Sequence, residues 1–329
     1  MLAIELTGFG IPHEVCRCID IDPPDAPGVD EVTVDSLACP VNPAEILLLA
    51  GKYASRPALP YRPGIEGVAR VTAIGANVTS VNVGDKVISL GRQNWAQSLN
   101  LPASDVIAVP EQADTLQLAM LKVNPATALL MLTQYCQLKA GSWVVQNAAN
   151  SGVGHALIQL AKASGWRTVN VVRREELVAP LLAAGADAVL VDGDDLGERC
   201  NAITGNDPVE LAIDAIAGSA TTRLANCLSD GGTVVTYGLL SGAPCQVTPD
   251  QVIFRSITLT GFWLAKYLSG MPRGKLLEQY DALGGMVADG ILSTPVEATY
   301  RLEDINTALE HAARGSRSGK ILLTPNGAV

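Results

Sequence analysis

The sequence is poor in several residue types, and each scarcity excludes something. Its 329 residues include only three histidines, which are spread along the chain without metal-ligand spacing (His13, His155 and His311). Positive charge is also scarce, because 23 lysines and arginines face 33 acidic residues, and the net charge of −10 would repel nucleic acids and anionic membranes. No apolar run approaches the roughly 20 residues of a membrane-spanning helix. We therefore expect neither a nucleic acid nor a membrane as partner.

The cysteine pattern gives no sign of a disulfide framework or of a thiolate metal site. The seven cysteines are odd in number, and no CxxC pair occurs. Reduced structural thiols in a cytosolic protein are the expected state. The N-terminus starts on the strand-like run Leu2–Leu6, without a basic leader or an arginine-rich transit segment. The expected location is therefore cytoplasmic.

The organisation of the chain changes twice along its length. Hydrophobic residues make up 48% of the chain, enough for a large core and two domains. Short strand-like runs and tight turns in the first part favour a β-rich, barrel-like domain. Near Leu116 strands begin to alternate with helices, which is typical of the α/β class with a doubly wound parallel sheet. From Lys275 neither pattern holds, and we expect this tail to return to the first domain. The predicted domains are 1–118 with 265–329, and 119–264.

One stretch, Ser142–Arg174, is central to the second domain. An apolar strand (Trp143–Gln146) leads into a turn of small residues and an amphipathic helix, and a second strand (Val169–Val172) follows. A Rossmann unit of this kind holds a dinucleotide pyrophosphate at the helix N-terminus. Because alanine and serine take the first two glycine places of GxGxxG, a plain strand–helix turn is the alternative. The residues predicted to bind the cofactor are Asn150, Ser151, Gly152, Val153 and Gly154.

Two arginines at the end of this stretch predict which cofactor binds. Arg173 and Arg174 follow the second strand, where an NAD enzyme carries an acidic residue for the ribose hydroxyls. Guanidinium groups can instead hold a 2′-phosphate through charge-assisted hydrogen bonds, which predicts NADP(H). The alternative is a solvated basic pair beside Glu175 and Glu176.

Five motifs make the chain resemble the medium-chain dehydrogenase/reductase superfamily over nearly its whole length. They are VNPAEI (Val41–Ile46), PGIEGVARV (Pro63–Val71), VGDKV (Val83–Val87), AANSGVGHALIQLAK (Ala148–Lys162) and GKILL (Gly319–Leu323). The resemblance implies a GroES-like first domain beside the Rossmann domain.

Within the superfamily the chain is most similar to the 2-enoyl thioester reductases of the mitochondrial fatty-acid-synthesis type, with the quinone reductases as the neighbouring group. The distinguishing pieces are VNPATALLML (Val123–Leu132), GKY (Gly51–Tyr53), VVRR (Val171–Arg174) and GFWL (Gly261–Leu264). The resemblance implies NADPH-dependent reduction of the C=C bond of an α,β-unsaturated acyl thioester, with hydride at Cβ and a proton at Cα. It also implies a homodimer joined through the edge strand Ser256–Phe262.

The zinc ligands of the superfamily are missing from the matching motifs. Asn42 stands where the zinc alcohol dehydrogenases have a cysteine, and Gly64-Ile65-Glu66 replaces their Gly-His-Glu. The cysteine-rich structural zinc lobe expected between Gly84 and Pro102 is missing too. Because zinc needs thiolates or imidazoles at such places, we predict no metal.

Two residues of the first domain are predicted to act on the substrate. The matching tyrosine acts as an acid in the similar reductases, so Tyr53 is expected to hydrogen-bond the thioester oxygen or to protonate Cα. Packing against the substrate is its alternative role. Asn42 is expected to donate to the carbonyl or to fix Tyr53, with capping of the helix after Pro43 as its alternative. Glu45 is interpreted as structural.

The remaining cofactor candidates follow from the same resemblance. Thr127 is placed beside the nicotinamide, with a hydrogen bond to its own helix backbone as the alternative. Gly238 and Leu239 come just after a strand end and are expected to contact the carboxamide. Arg317 and Lys320 form a basic pair that either reaches a phosphate or is solvated.

Aromatic residues supply the predicted substrate pocket, and the function keeps two alternatives. Trp263, Phe262 and Trp95 are assigned to the pocket, the first two also to the cofactor, with core packing as the alternative. A quinone or small-enone reductase of the same fold is the first alternative function. A nucleotide-binding relative without turnover is the second. The acyl chain length, the thioester carrier (coenzyme A or carrier protein) and the pathway stay open.

Overall fold

The computed structural model describes residues 1–205 and 207–329, which divide into two compact units. Unit 1 combines Met1–Val123 with Pro272–Val329, and unit 2 is Asn124–Met271. Both boundaries lie later in the chain than the predicted 118 and 264. The reason is that the helix Thr115–Ala119 packs on strands of unit 1, whereas the helix Leu264–Ser269 belongs to unit 2.

Unit 1 begins with strands that alternate with three short helices. Alternate residues are buried along its longest strand, as a half-buried strand requires, and prolines open two of the helices. The strands are β1 (Leu2–Leu6), β2 (Cys16–Asp20), β3 (Glu31–Pro40), β4 (Gly67–Ile74), β5 (Lys86–Ser89), β6 (Ser98–Pro102) and β7 (Val106–Ala108). The helices are α1 (Pro12–Val15), α2 (Pro43–Leu49) and α3 (Thr115–Ala119).

Unit 2 alternates strands with helices along the chain. Its strands are β8 (Trp143–Gln146), β9 (Arg167–Val172), β10 (Ala188–Val191), β11 (Val209–Asp214), β12 (Thr233–Thr236) and β13 (Thr258–Gly261). Its helices are α4 (Asn124–Gln134), α5 (Gly152–Ala163), α6 (Val178–Ala183), α7 (Leu196–Thr204), α8 (Ser219–Asn226), α9 (Pro249–Ile253) and α10 (Leu264–Ser269).

The strands of unit 2 form one parallel sheet in the order β10-β9-β8-β11-β12-β13. All of its neighbouring pairs are parallel. The order reverses direction at β8, so the chain winds outward twice from the centre of the sheet. The predicted doubly wound sheet is confirmed. Its inner strands β8, β9 and β11 are largely buried, as expected for a parallel sheet covered by helices, whereas the edge strand β13 is mostly exposed.

The last part of the chain returns to unit 1, as predicted. It forms α11 (Arg273–Ala288), β14 (Val296–Tyr300), α12 (Ile305–Ala313) and β15 (Lys320–Leu323). β15 pairs antiparallel with the end of β3, so Leu323 lies opposite Cys39. The resulting sheet has the order β14-β15-β3-β4-β5-β7, with β6 also on β3, and β1 and β2 pair separately. Over the described ranges, none of the helices α1–α12 has both the length and the apolarity needed to cross a bilayer.

Candidate functional site

The turn between β8 and α5 lies at the carboxyl edge of the parallel sheet. Ser151 is the N-cap of α5, and its Oγ accepts a hydrogen bond from the Gly154 N–H (3.1 Å). Gly154 has no room for a side chain, because a Cβ there would lie 2.3 Å from the Ala149 carbonyl oxygen. The helix therefore packs directly against the turn, which agrees with the packing role predicted for Gly154.

A donor that the sequence analysis missed, Asn124, lies beside this turn. Asn124 begins α4, and its Nδ2 would lie 2.7 Å from a Cβ placed on Gly152. This Nδ2 is buried and has no hydrogen-bond partner among residues 1–205 and 207–329. An unpaired donor next to a helix N-terminus suits an anion with several acceptor oxygens, so the residues present fit a dinucleotide pyrophosphate. Thr127, predicted beside the nicotinamide, is buried one turn further along α4.

A buried carboxylate, Asp214, joins the strand ends that border the turn. It ends β11, and its Oδ1 accepts a hydrogen bond from Asn147 Nδ2 (2.6 Å). Its Oδ2 accepts from Thr221 Oγ1 (2.7 Å) and from Thr236 Oγ1 (3.4 Å). These bonds connect the ends of β8, β11 and β12 and hold the edge of the sheet rigid. Sequence reasoning missed Asp214, whose only signal was an acid at the end of an apolar run.

Four of the predicted cofactor residues follow directly on strands. Gly238 and Leu239 come just after β12, and a Cβ on Gly238 would lie 2.5 Å from a backbone oxygen. Arg173 and Arg174 follow β9. Arg173 is exposed, while the half-buried Arg174 places its Nε 3.1 Å from the exposed Glu176 Oε1. An exposed ion pair of this kind contributes little stability, so Arg174 can exchange Glu176 for a phosphate at small cost.

The two aromatic residues of the GFWL motif lie in opposite environments. Trp263 is 44% exposed at the N-cap of α10, whereas Phe262 is 7% exposed and its ring stacks on Tyr267 at 4.8 Å. The Tyr267 hydroxyl donates to Tyr135 (3.0 Å), which donates to the Gly261 carbonyl oxygen (2.9 Å). The prediction that Phe262 lines the pocket conflicts with this burial. Trp263 is the member of the pair that presents a surface.

The loop that carries Tyr53 is tied to unit 1 at both ends. The N–H groups of Lys52 and Tyr53 donate to the carbonyl oxygen of Leu47 in α2 (2.8 and 3.1 Å). Further along, Tyr61 exchanges two backbone hydrogen bonds with Leu6 of β1 (2.7 and 3.1 Å). Tyr53 is half-buried and packs against the core of this unit. The loop therefore holds its tyrosine at a defined place instead of leaving it mobile.

Asn42, at the other end of α2, is surrounded by buried charges. It is 2% exposed, its Nδ2 donates to Glu66 Oε1 (2.8 Å), and its Oδ1 accepts a hydrogen bond from Lys320 Nζ. Glu45 Oε2 accepts from the Asn42 N–H (2.9 Å) and Glu45 Oε1 from the Ile65 N–H (2.9 Å), as the structural role predicted for Glu45 requires. The Asn42 amide is thus engaged with charged side chains, while Glu45 closes the first turn of α2.

Burial shifts the pKa values of these charged groups in opposite directions. It raises the pKa of Glu66 to about 7 and also raises the pKa of Glu45, although hydrogen bonds and Lys320 oppose both shifts. It lowers the pKa of Lys320 to about 8 against the attraction of the two glutamates. A second buried lysine, Lys122, has its pKa lowered to about 8 for the same reason. Its Nζ donates to the carbonyl oxygens of Ile65, Leu90 and Gly91 (2.5, 2.6 and 3.0 Å).

Lys122 predicts a particular pH dependence of stability. Its pKa falls from 10.5 to about 8, through burial and Arg92, against the attraction of Glu66, Glu45 and Asp105. Between these values the unfolded chain holds the proton and the folded chain does not, so the unfolding free energy rises with pH. Urea unfolding of wild type and Lys122→Met should show wild type gaining stability relative to the variant between pH 8 and pH 10.5. A constant difference across that window would show that the lysine titrates normally.

The structure corrects the predicted basic pair at the end of the chain. Lys320 is buried and donates to Asn42 Oδ1, so it is neither solvated nor available to a phosphate. Arg317 donates to the carbonyl oxygens of Arg314 (3.2 Å) and Gly319 (3.3 Å), and burial lowers its pKa. The two side chains therefore have different partners, although the charge of Arg317 contributes to the lowered pKa of Lys320. The prediction of a basic pair was wrong because the pairing of β15 with the end of β3 places Lys320 in the interior.

The structure also argues against a pocket role for Trp95. Its side chain is fully buried in the core of unit 1, together with Ile4 and Leu6. Gly64 packs against it with a positive φ of 112°, and a Cβ there would lie 2.6 Å from the Trp95 backbone nitrogen. Trp95 is therefore a core residue on which the Gly64 turn is built.

A metal centre is not formed by the residues that the structure describes. In this part of the chain no group of three or more His, Cys, Asp or Glu side chains is arranged to hold an ion. Cys39, the thiol nearest in sequence to Asn42, donates to the Asn94 carbonyl oxygen (3.1 Å), and burial raises its pKa. The zinc-free site stays a prediction.

The chain matches two protein families and is similar to solved structures of oxidoreductases. The family Alcohol dehydrogenase GroES-like domain matches residues 28–111, and the family Zinc-binding dehydrogenase matches residues 152–278. Among solved structures, Escherichia coli quinone oxidoreductase complexed with NADPH has a TM-score of 0.88 at 26% identity, covering 99% of this chain and 100% of that one. The Etr1p complex with NADP and crotonyl-CoA has a TM-score of 0.85 at 27% identity, covering 98% and 99%. Etr1p is a mitochondrial 2-enoyl thioester reductase of Candida tropicalis.

Two relatives are similar in sequence over most of their length. The mitochondrial enoyl-[acyl-carrier-protein] reductase of Homo sapiens is 36% identical over 301 residues, which are 89% of this chain and 81% of the relative. The reductase of the same name from Caenorhabditis elegans is 36% identical over 313 residues, which are 93% and 90%. Identity at this level across both units means common descent, and the chain belongs to the medium-chain dehydrogenase/reductase superfamily as a homologue of the mitochondrial enoyl-[acyl-carrier-protein] reductases.

Proposed function

We propose that the protein is an NADPH-dependent reductase of the C=C bond in 2-enoyl acyl thioesters. The observation that carries the proposal is the 36% identity of the chain to an enoyl-[acyl-carrier-protein] reductase over 93% of its length. The backbone hydrogen bonds that anchor the loop carrying Tyr53 support the proposal. The solved relative in complex with NADP and crotonyl-CoA supports the same cofactor and substrate class. The thioester carrier and the acyl length are not part of the proposal.

Residues of unit 2 bind the cofactor in this proposal. The amides at the start of α5, with Ser151 and Asn124 beside them, hold the pyrophosphate. Arg173 and Arg174 hold the 2′-phosphate through charge-assisted bonds. Bound NADPH supplies the hydride that reduces Cβ. Trp263 is the exposed aromatic residue proposed to border the acyl chain.

In this proposal, residues of unit 1 stabilise the charge on the thioester oxygen and supply the proton for Cα. Reduction at Cβ leaves negative charge on the thioester oxygen and an unprotonated Cα. Asn42 donates an N–H to that oxygen and stabilises the charge where it develops. Tyr53 provides the proton for Cα from its hydroxyl. No metal takes part in these steps.

The test is NADPH consumption by the purified chain with three separate additions. Crotonyl-CoA, a simple quinone, and no acceptor are compared under the same conditions, and we expect crotonyl-CoA to give the largest kcat/KM. Consumption with the quinone alone would contradict the proposal. Consumption with neither acceptor would favour a nucleotide-binding protein without turnover.

A quinone reductase is the second candidate, because one observation favours it. The backbone matches the Escherichia coli quinone oxidoreductase with a TM-score of 0.88, slightly above the 0.85 of the thioester reductase complex. Sequence identity to the enoyl-[acyl-carrier-protein] reductases is 36%, against 26% and 30% to two quinone reductases of known structure, and side chains decide the substrate. We therefore rank thioester reduction first.

We also propose a homodimer joined through the edge of the unit 2 sheet. β13 is the last strand in the order and has an exposed Leu259, and Phe254 just before it is 76% exposed. The Candida tropicalis relative forms a heterodimer. An open strand edge with exposed apolar residues is a surface that a second copy would cover.

The relatives carry the word mitochondrial in their names, and the cytoplasmic location expected for this chain stays a prediction.

The dimer predicts the effect of a charge placed at this edge. Phe254→Asp together with Leu259→Lys should convert the protein to a monomer, because each change puts a charge into an apolar contact. Light scattering coupled to size-exclusion chromatography gives the mass. Val83→Asp is the matched control, since Val83 is an exposed apolar residue of unit 1. A wild-type protein that is already monomeric at micromolar concentration would refute the dimer.

A further inference from the structure

The orientation of the Asn42 amide is set by two neighbours of opposite charge. Its Nδ2 donates to Glu66 Oε1 (2.8 Å), and its Oδ1 accepts from Lys320 Nζ. An ionised Glu66 can only accept, as both of its oxygens do here, and the Lys320 ammonium can only donate, so a flipped amide would oppose both partners at once. Asn42 therefore has one stable orientation, which leaves the second hydrogen of Nδ2 as the atom that Glu66 does not use.

Both neighbours are themselves fixed in place. Glu66 is fully buried, and its Oε2 accepts a second hydrogen bond from the Val123 N–H (2.8 Å). Lys320 starts β15, whose pairing with the end of β3 brings it beneath Asn42, and its Nζ also lies 3.5 Å from the Val41 carbonyl oxygen. Neither side chain can turn away without losing a buried partner, which would leave an uncompensated charge.

We propose that Glu66 and Lys320 are positioning residues that orient Asn42 so that it offers an N–H, and not its carbonyl, to the thioester oxygen. This rests on the proposed reduction of a thioester. An N–H stabilises the negative charge that develops on that oxygen, whereas a carbonyl dipole in the same place would repel it. Two buried opposite charges bridged by an amide are a weak source of stability compared with apolar packing. Their value at this position is the single orientation that they impose.

The other buried lysine of unit 1 provides an internal control. Lys122 is as deeply buried as Lys320 and has its pKa shifted to the same value of about 8. Its Nζ donates to three backbone carbonyl oxygens and not to Asn42. Replacing Lys122 removes the same charge from the same unit, and the lost attraction to Glu66 is shared by both lysine variants, but only Lys320 donates a hydrogen bond to Asn42.

The kinetic test compares Lys320→Met and Glu66→Gln with the control Lys122→Met in the full chain. In Glu66→Gln an amide NH₂ replaces one carboxylate oxygen, so it opposes either the Asn42 or the Val123 donor. We expect these two variants to lower kcat with crotonyl-CoA by about 10- to 100-fold while the KM for NADPH stays unchanged. Lys122→Met should lose stability but keep its kcat per folded molecule within about twofold. Lys320→Arg, which keeps a charged donor, should recover most of the loss.

A second readout does not depend on turnover. Nitrogen-15 labelling of asparagine reports the chemical shifts of the two Nδ2 protons of Asn42, one of which is hydrogen-bonded to Glu66. Lys320→Met should shift this pair of resonances, and Lys122→Met should not.

Equal kcat losses in Lys320→Met and Lys122→Met, or an unchanged Asn42 resonance pair in Lys320→Met, would overturn the proposal. If Lys320→Met does not fold, Glu66→Gln carries the same comparison. If wild type reduces only quinones, the proposed function fails, while the resonances still decide the orientation of Asn42.

Discussion

Replacing Tyr53 with phenylalanine is expected to lower kcat with crotonyl-CoA by about 10²- to 10⁴-fold, the range for loss of a general acid. The change removes one hydroxyl and leaves the ring, so the packing of Tyr53 against the core of unit 1 is kept. The backbone bonds that anchor the loop are unaffected as well. Steady-state kinetics with varied NADPH should therefore show an unchanged KM for the cofactor. The substitution is therefore expected to slow the chemical step without weakening cofactor binding.

A second tyrosine in the same loop supplies the matched control. Tyr61 is half-buried, and its hydroxyl bonds to Arg92. Tyr61→Phe removes the same atom from the same loop and should leave kcat within about twofold, since a surface-near substitution has small effects. Unchanged thioester turnover in Tyr53→Phe would mean that its hydroxyl is not the acid. Equal losses in the two variants would point to the loop and not to Tyr53.

The combined replacement of Arg173 and Arg174 with alanine has the next largest expected effect. Each charge-assisted hydrogen bond to a phosphate contributes about 1.5–3 kcal/mol. The KM for NADPH should rise by about 100-fold, near the lower end for two such bonds, because the arginines are partly exposed and Arg174 also pairs with Glu176. The KM for NADH, which has no 2′-phosphate, should change little. Initial rates with both cofactors at saturating crotonyl-CoA give the ratio.

Arg167 is the control for this pair, because it lies at the opposite end of the same strand. It begins β9, forms an ion pair with Asp207 (2.8 Å) and lies over the Trp143 ring at 4.4 Å. Arg167→Ala should change stability slightly and leave the NADPH preference intact. An enzyme that uses NADPH and NADH equally well before any substitution would remove the basis of the prediction. The arginines would then be a solvated pair beside their acidic neighbours.

The parts of the fold that the sequence predicted are those encoded by local patterns. Short apolar runs such as Trp143–Gln146 are buried strands because helices cover both faces of a parallel sheet. The glycine at position 154 was predictable from the turn alone, since its neighbour in space is also its neighbour in sequence. The short strands β6 and β7 and the helix α9 were missed. They are only three to five residues long and have no clear periodicity.

The surroundings of the candidate site were not predictable from local patterns. Lys320 and Asn42 are far apart in the chain, and only the β15–β3 pairing brings them together. A lysine three residues after an arginine and two after a serine suggests a surface position, because the sequence does not show which charged side chains lie close to it in space. The role of Asn124 was also not predictable from the sequence. Its Nδ2, which has no hydrogen-bond partner among the described residues, lies beside Gly152 only because α4 packs against α5.

The adjacent aromatics Phe262 and Trp263 show a different limit. In extended backbone, neighbouring side chains point to opposite sides, so one ring of the pair must turn inward. The motif GFWL gives no sign of which one. The inward ring is Phe262, because Tyr267 stacks on it. The Tyr267 hydroxyl donates to Tyr135, whose hydroxyl donates to the Gly261 carbonyl oxygen and holds this arrangement.

The discontinuity of unit 1 sets the order in which the protein is completed on the ribosome. Unit 2 is one continuous segment, whereas unit 1 needs residues from both sides of it. Lys320 is synthesised after the whole of unit 2, so Asn42, Glu45 and Glu66 lack this lysine during translation, while Lys122 is already present and the Rossmann sheet can already form. Before β15 pairs with β3, the burial of these two carboxyl groups is not offset by the charge of Lys320. The strand that completes the surroundings of Asn42 is thus among the last parts of unit 1 to be synthesised.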